Sequence, residues 1–240
     1  MARILYIFPH PDDESFGPAP AIARQIREGH EVHLLTLTRG EATTQRERLG
    51  LSKEEMGEVR FQEMKCVTET LELTGMTVLQ LPDGKLADMD PQEVEDVVAA
   101  HVREVEPDVV VTYAIHGISG HRDHLVCHAV VKRVFCDLRD ELDVQRLALF
   151  TLPEGDGERP DHLTASPSEM IDCVIELSED DLQKGYEALD CYETYKEVVE
   201  EHQPLEQVKQ GVVFEFFGES FDPPLDDLAG NLTERKVASI

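Results

Sequence analysis

The chain alternates short, wholly apolar runs with longer stretches in which apolar positions recur every three or four residues. Residues 4–8 (Ile4, Leu5, Tyr6, Ile7, Phe8) form the first run, the pattern of a strand covered on both faces. Residues 19–28 read as a helix closed by Gly29, a residue suited to a left-handed C-terminal turn. A second strand is predicted over residues 32–37. Residues 54–74 then carry helical spacing through Val59, Met64, Val67 and Leu71 and end at Gly75. A third strand at residues 78–81 is punctuated by Pro82-Asp83-Gly84. Asp90 caps a helix over residues 91–104 that has Pro91 at its first position. Pro107 introduces a strand at residues 108–113. A helix over residues 123–140 and a fifth strand at 147–151 follow. Residues 153–167, rich in Pro, Gly, Asp and Ser, read as a surface loop or lid. After a strand at residues 173–177, Ser178 caps a long helix with Glu179, Asp180 and Asp181 in its first turn, where acids suit the helix dipole. The stripe Tyr186, Leu189, Tyr192, Tyr195 on that helix reads as packing. Residues 212–217 are a late strand, so the pattern predicts one domain over residues 1–221 and a C-terminal tail over 222–240.

Strands alternating with helices specify an α/β fold with a mostly parallel sheet and right-handed crossovers. The expected architecture is doubly wound and Rossmann-like, with strand order 3-2-1-4-5 and helices on both faces. In that order strands 1 and 4 are neighbours, and ligands bind outside their carboxyl ends, where the winding reverses. Two acid–histidine clusters fall at those two ends. His10-Pro11-Asp12-Asp13-Glu14 follows strand 1, and Gly120-His121-Arg122-Asp123-His124 follows strand 4. Imidazole and carboxylate together suit a borderline divalent metal such as zinc. Topology therefore predicts that the clusters meet.

Bulk properties narrow the function. The chain has 240 residues and a formal net charge of −28, with 50 acidic against 22 basic residues. Such a surface repels nucleic acid and anionic membranes, whose recognition relies on Lys and Arg. No apolar stretch approaches the ~18 residues that span a bilayer. Met1-Ala2-Arg3 runs straight into a strand, without the layout of a signal peptide. The five cysteines, Cys66, Cys127, Cys136, Cys173 and Cys191, show no CxxC spacing, and they are expected as reduced, buried thiols in a cytoplasmic protein.

The two clusters, in this order, resemble the LmbE-like / PIG-L superfamily of metal-dependent N-deacetylases. A helix with Arg60 and Glu63, followed by Leu81-Pro82-Asp83-Gly84, resembles the middle region of that family. The resemblance covers roughly residues 1–215. Pro9 and Arg122 depart from the usual pattern at positions not expected to be ligands. The resemblance implies Zn2+ held by His10, Asp13 and His124, with Fe2+ equally able to take two imidazoles and a carboxylate. It implies Asp12 as general base, a protonated His121 as oxyanion stabiliser, and Asp123 as an orienter of His121 or His124. Asp123 also suits a helix N-cap. The proton for the departing amine is assigned to either Asp12 or His121. Arg60 is implied as a substrate contact, against the plain reading of a helix arginine paired near Glu63. Glu14 is placed near the substrate or, as a first-turn acid, without a role. His128 reads as packing, and His116 as a residue near the mouth of the site.

The reading this supports is a hydrolase that removes acetyl from a small N-acetylglucosamine-type substrate, as a monomer or homo-oligomer. Alternatives are an amidase acting on amino-sugar thiol conjugates and a non-catalytic sugar- or nucleotide-binding domain. The binding domain is disfavoured because the first turn lacks GxGxxG. A serine hydrolase is disfavoured because no GxSxG elbow occurs.

Overall fold

The computed structural model describes residues 1–154 and 160–233. Seven strands form one sheet: β1 (Arg3–Phe8), β2 (Glu31–Thr38), β3 (Gly75–Leu81), β4 (Val109–Tyr113), β5 (Arg146–Thr151), β6 (Cys173–Ile175) and β7 (Val212–Phe216). Their order is β3-β2-β1-β4-β5-β7-β6. The first five run parallel to one another, in the expected 3-2-1-4-5 order. β7 then runs antiparallel to both β5 and β6. The helices are α1 (Ala19–Arg27), α2 (Gln45–Leu49), α3 (Lys53–Leu71), α4 (Pro91–Val105), α5 (Gly117–Gly120), α6 (Arg122–Leu142), α7 (Glu179–Asp190) and α8 (Lys196–His202).

The continuous apolar run of β1 is explained by its place in the middle of the sheet. Ile4, Tyr6 and Phe8 pack with Ile22, Met64, Val67 and Leu189, under α1, α3 and α7. Leu5 and Ile7 pack on the other face with Val94, Val98, Val131 and Phe135 of α4 and α6. Ile4, Leu5, Tyr6, Ile7 and Phe8 are all fully buried. At ~1.5–3 kcal/mol for each large apolar side chain, this strand fixes the register of its neighbours.

Several predicted boundaries shift. A capping box of Ser52 and Glu55 starts α3, and the helix ends at Leu71 with Glu72 in the left-handed region, so β3 begins earlier, at Gly75. The long helix expected after Ser178 stops at Asp190. Tyr192 and Tyr195 therefore leave the helical stripe: Tyr192 is buried, and Tyr195 ends a short 3-10 turn. Part of the expected 153–167 lid, residues 155–159, lies outside the described residues. So does 234–240 of the tail, whose earlier part packs on the sheet. Val174 N donates to Leu225 O at 2.8 Å, and Leu228 is fully buried.

The expectation of reduced thiols is corrected. Cys66 of α3 and Cys191, just after α7, form a disulfide with a sequence separation of 125. Cys127 and Cys173 are free and buried, whereas Cys136 is free and exposed. The spacing of the bonded pair carries no local signal, because the sheet topology brings the two together. The expected cytoplasmic location loses the part of its support that rested on uniformly reduced cysteines. No helix of the described residues is long and apolar enough to cross a membrane.

Candidate metal centre

The two clusters meet at the carboxyl ends of β1 and β4, which pair from Ile4↔Val109 to Tyr6↔Val111. The loop after β1 turns sharply, with Asp12 at φ 84°, and Asp13 Oδ2 accepts from His10 N at 2.8 Å. His10 Nδ1 consequently lies 3.5 Å from Asp13 Oδ2. His10 Nε2 lies 3.3 Å from both Asp83 Oδ1 and Asp123 Oδ2. His124, in the first turn of α6, places Nδ1 at 2.9 Å from Gly117 O and Nε2 at 3.3 Å from Asp13 Oδ1.

These partners assign the tautomers. A carbonyl oxygen can only accept, so His124 Nδ1 carries the hydrogen and its Nε2 lone pair faces the Asp13 carboxylate. Two carboxylates hold the hydrogen on His10 Nε2, so its Nδ1 lone pair faces Asp13 as well. Lone pairs aimed at a buried carboxylate repel unless a cation lies among them. The separations, 3.3 Å from His124 Nε2 to Asp13 Oδ1 and 3.5 Å from His10 Nδ1 to Asp13 Oδ2, are of the order of the ~3.3–3.4 Å between neighbouring ligands on bonds of ~2.0–2.1 Å. The donor set of His10, Asp13 and His124 thus fits a divalent metal. Without one, protons take its place. Burial disfavours charge on His10, but hydrogen bonds to Asp123 and Asp13 outweigh it and raise its pKa to about 10. Burial also acts against the Asp13 carboxylate, yet His124 and His10 hold its pKa far below the usual range.

His121 has a different posture. Its Nδ1 accepts from Asp123 N at 3.2 Å, capping α6, so the neutral ring carries its hydrogen on Nε2. Nitrogens of His10, His121 and His124 lie within 4.8 Å of one another, and a second group of the same kind joins His10, Asp83 and Asp123. The tautomer nevertheless makes His121 a donor into the cavity. Burial, with His10 and His124 nearby, lowers its pKa. His121, and not Asp123, is the N-cap residue. Asp123 accepts from Gly84 N at 2.8 Å and Leu86 N at 3.1 Å while it faces His10. The expected pairing of Asp123 with His121 or His124 is therefore replaced by a bond to the first cluster.

Asp12 lines the cavity beside the metal ligands. Burial pushes its carboxyl up to about 6, against the pull of the Arg60 guanidinium. Arg60 Nη2 donates to Asp12 Oδ2 at 2.5 Å and to Pro11 O at 2.8 Å. Its guanidinium lies 4.2 Å from the Tyr195 ring centroid. Arg60 is not the solvated helix residue paired with Glu63, because Glu63 binds Thr194 instead. Gly40 makes this possible: at φ +64°, a Cβ there would lie 2.5 Å from Arg60 Nη1. Glu14 is fully buried and bonded to Tyr192 and Ser15, at 2.7 and 2.6 Å, behind the cavity wall and not on it. Burial raises its carboxyl to about 7. His116 is turned inward onto Ser166 at 3.2 Å and Thr151 at 3.3 Å. His128 anchors on Tyr113 O at 2.8 Å, the packing role expected for it.

Three contributors carry no role in the sequence reading. Asp83 holds His10 and also accepts from Ala42 N at 2.7 Å. Tyr113, the last residue of β4, donates to Asp13 Oδ1 at 2.7 Å and stacks on His124 at 4.3 Å and 7°. Gly117, at φ +62°, supplies the carbonyl for His124, and a Cβ there would lie 2.8 Å from His124 Cβ. The Pro82-Asp83-Gly84 turn and the polar end of an apolar strand were the available signals.

The cavity over these residues measures about 480 Å³. Fold and site together define a doubly wound α/β protein with a histidine–carboxylate cluster that could hold a metal ion at its topological switch point. The family model described as PIG-L, GlcNAc-PI de-N-acetylase, matches residues 5–135, and the chain belongs to this family. A 1D-myo-inositol 2-acetamido-2-deoxy-alpha-D-glucopyranoside deacetylase from Kineococcus radiotolerans is 35% identical over 158 residues, 55% of this chain and 44% of the relative. The chain spans about half the length of the curated relatives it matches. A solved teicoplanin deacetylase, in a zinc-inhibited form, superposes with TM-score 0.68 at 16% identity over 89% of this chain and 97% of its own. A 4-carboxy-2-hydroxymuconate hydratase from Pseudomonas putida superposes with TM-score 0.66 at 14% identity, over 92% and 98%. At such identities the two structures share the fold alone. One is named a deacetylase and the other a hydratase, so the reaction has to be argued from the site.

Proposed function

We propose that the protein is a metal-dependent N-deacetylase that hydrolyses the acetamide of an N-acetylglucosamine-type substrate, with zinc as its metal. One observation carries this reading: the lone pairs of His10 Nδ1 and His124 Nε2 converge on the Asp13 carboxylate while Asp12, held by Arg60, lines the same cavity as a candidate base. The deacetylase names of relatives in the same family support the choice of substrate. His10, Asp13 and His124 would hold a divalent cation, which would supply Lewis acidity toward the amide carbonyl and lower the pKa of water. The chain's own groups do the rest. Asp12, fixed by Arg60 Nη2, takes the proton of the attacking water. His121 Nε2–H points a donor at the oxygen on which charge develops, a contribution of ~3 kcal/mol for one well-placed donor. Asp83 and Asp123 hold His10 in its ligating tautomer. Asp12, protonated by that step, then returns the proton to the departing amine; the neutral His121 keeps its Nε2 hydrogen and acts only as a hydrogen-bond donor.

The test is amine release from acetylated glucosaminides, together with metal content. Parent protein purified without a histidine tag is expected to carry about one divalent metal per chain and to release amine. Asp12→Asn is expected to keep the metal and lose ~10²–10⁴-fold in turnover. Parent-like turnover in that variant removes Asp12 as the base, and a metal-free active protein removes the whole mechanism.

A further inference from the structure

The cavity is lined by two unlike sets of side chains. Asp12, Asp83 and His121 line it together with His10, Asp13 and His124, and Phe16, Ile118, Phe150, Leu152 and Leu163 form an apolar wall within it. A substrate that presents only hydroxyls would leave this wall against water or against unpaired polar groups, both unfavourable. The wall is also built at a cost. Ile118 sits at φ 57°, ψ −63°, close to the rare, strained form of γ-turn, where a β-branched residue is an outlier. The conformation is held from both ends: Ile118 N donates to His116 Nδ1 at 3.0 Å, and Ile118 O accepts from Thr164 N at 2.7 Å. The next residue upstream, Gly117, carries the carbonyl that fixes His124. The strained turn therefore sets an isoleucine side chain beside the metal ligand. Strain of this kind persists where the surrounding structure over-determines it and clusters at ligand sites. Phe150 extends the wall, with its ring centroid 6.1 Å from that of Tyr113, and Gly17 leaves room for it, because a Cβ there would lie 2.4 Å from Phe150 Cζ.

We infer that the substrate carries an apolar group that packs on this wall, and that Ile118 is a specificity-determining residue for it. The inference rests on the deacetylase reading and names the substrate class more narrowly: an amino-sugar amide with an apolar appendage. That appendage is either an acyl chain longer than acetyl or an apolar aglycone, and the chemistry of the wall is the same for both.

Two substrate series separate the sources: methyl glucosaminide acylated with acetyl, butanoyl or hexanoyl, and N-acetylglucosamine as its methyl, butyl or octyl glycoside. Dissociation constants are read calorimetrically with Asp12→Asn protein, in which turnover is slow, and amine release is read with the parent protein. Binding is expected to tighten along one series by up to about fourfold for each buried methylene. The series that tightens identifies the appendage as acyl or aglycone. Ile118→Thr, which keeps the branched shape and the backbone preference, is expected to flatten that slope. If it does not fold, Leu163→Ser on the half-buried loop makes the same test. Constants that stay flat or weaken along both series overturn the inference, as does a slope that survives the wall substitution. Amine release from none of the compounds would instead defeat the deacetylase reading, and the binding slopes would still decide the wall.

Discussion

Removing one oxygen atom, with Tyr113→Phe, separates the two things Tyr113 does. The ring stacked on His124 at 4.3 Å stays, and the hydroxyl that donates to Asp13 Oδ1 at 2.7 Å goes. Both residues are buried, Tyr113 to 4% and Asp13 to 5% exposure, so little of their surface is open to a replacing water. A hydrogen bond to a charged group contributes ~1.5–3 kcal/mol, which is ~10–150-fold in an equilibrium constant. Two effects compete. The freed carboxylate is more basic and so a better donor to a metal. It is also free to rotate away from the position in which its two oxygens face His10 and His124. Basicity acts on one bond, whereas rotation disturbs every ligand distance at once, so orientation dominates. Substitutions of groups that orient ligands cost ~10–100-fold in metal affinity. The expected result is a metal dissociation constant raised by that factor, read by competition with a chelator of known affinity. Amine release should return when metal is added in excess, because no group assigned to the reaction has changed. An affinity within threefold of the parent, or a tighter one, would refute the idea that this hydroxyl holds Asp13 in its ligating posture.

Gly117→Ala forces a side chain into the left-handed region, ~1–2 kcal/mol, and sets its Cβ 2.8 Å from His124 Cβ. The variant should melt several degrees lower and retain less metal after dialysis; parent-like values in both measurements would show that the loop can relax. Opening the Cys66–Cys191 bond, which spans 125 residues, should lower the unfolding free energy by about 2–4 kcal/mol. Urea unfolding with and without a dithiol reductant measures this, and coincident midpoints would mean that the bond does not form in solution.

The parts of the fold legible in the sequence are those set by local pattern. β1, β4 and β5 read directly, because strands buried on both faces need continuous apolar runs. Neighbourhood of the two clusters followed from crossover rules once those strands were counted. The antiparallel β7–β6 edge was not legible, since a return of the chain through α7 and α8 has no sequence mark. Nor was the end of α7: the spacing of Tyr186, Leu189, Tyr192 and Tyr195 continues the helical period, yet the chain leaves the helix at Asp190 and Cys191 meets Cys66. Arg60 was picked out for the right region and the wrong partner. Its salt bridge to Asp12 depends on how α3 lies over the β1 loop, and only the sheet and the Gly40 turn settle that.

The misassigned partner of Asp123 shows how the site is wired. The family resemblance implies Asp123 as an orienter of His121 or His124, members of its own cluster. The structure crosses them: Asp123 of the second cluster holds His10 of the first, and Asp13 of the first faces His124 of the second. Asp83, from a third loop, joins the same nitrogen of His10. Neither cluster alone fixes the tautomers of both histidines. His10 takes the hydrogen on Nε2 only because acids from two other loops lie beside it. His124 turns Nε2 inward only because Gly117 O takes the hydrogen of Nδ1. The ligating lone pairs therefore come into being with the pairing of β1 and β4. A metal bound there stabilises that pairing in turn, because an ion held from both loops favours the state in which they are joined. Under the proposed function, metal affinity and the stability of the central sheet would be one linked equilibrium, because the two motifs supply the site only together.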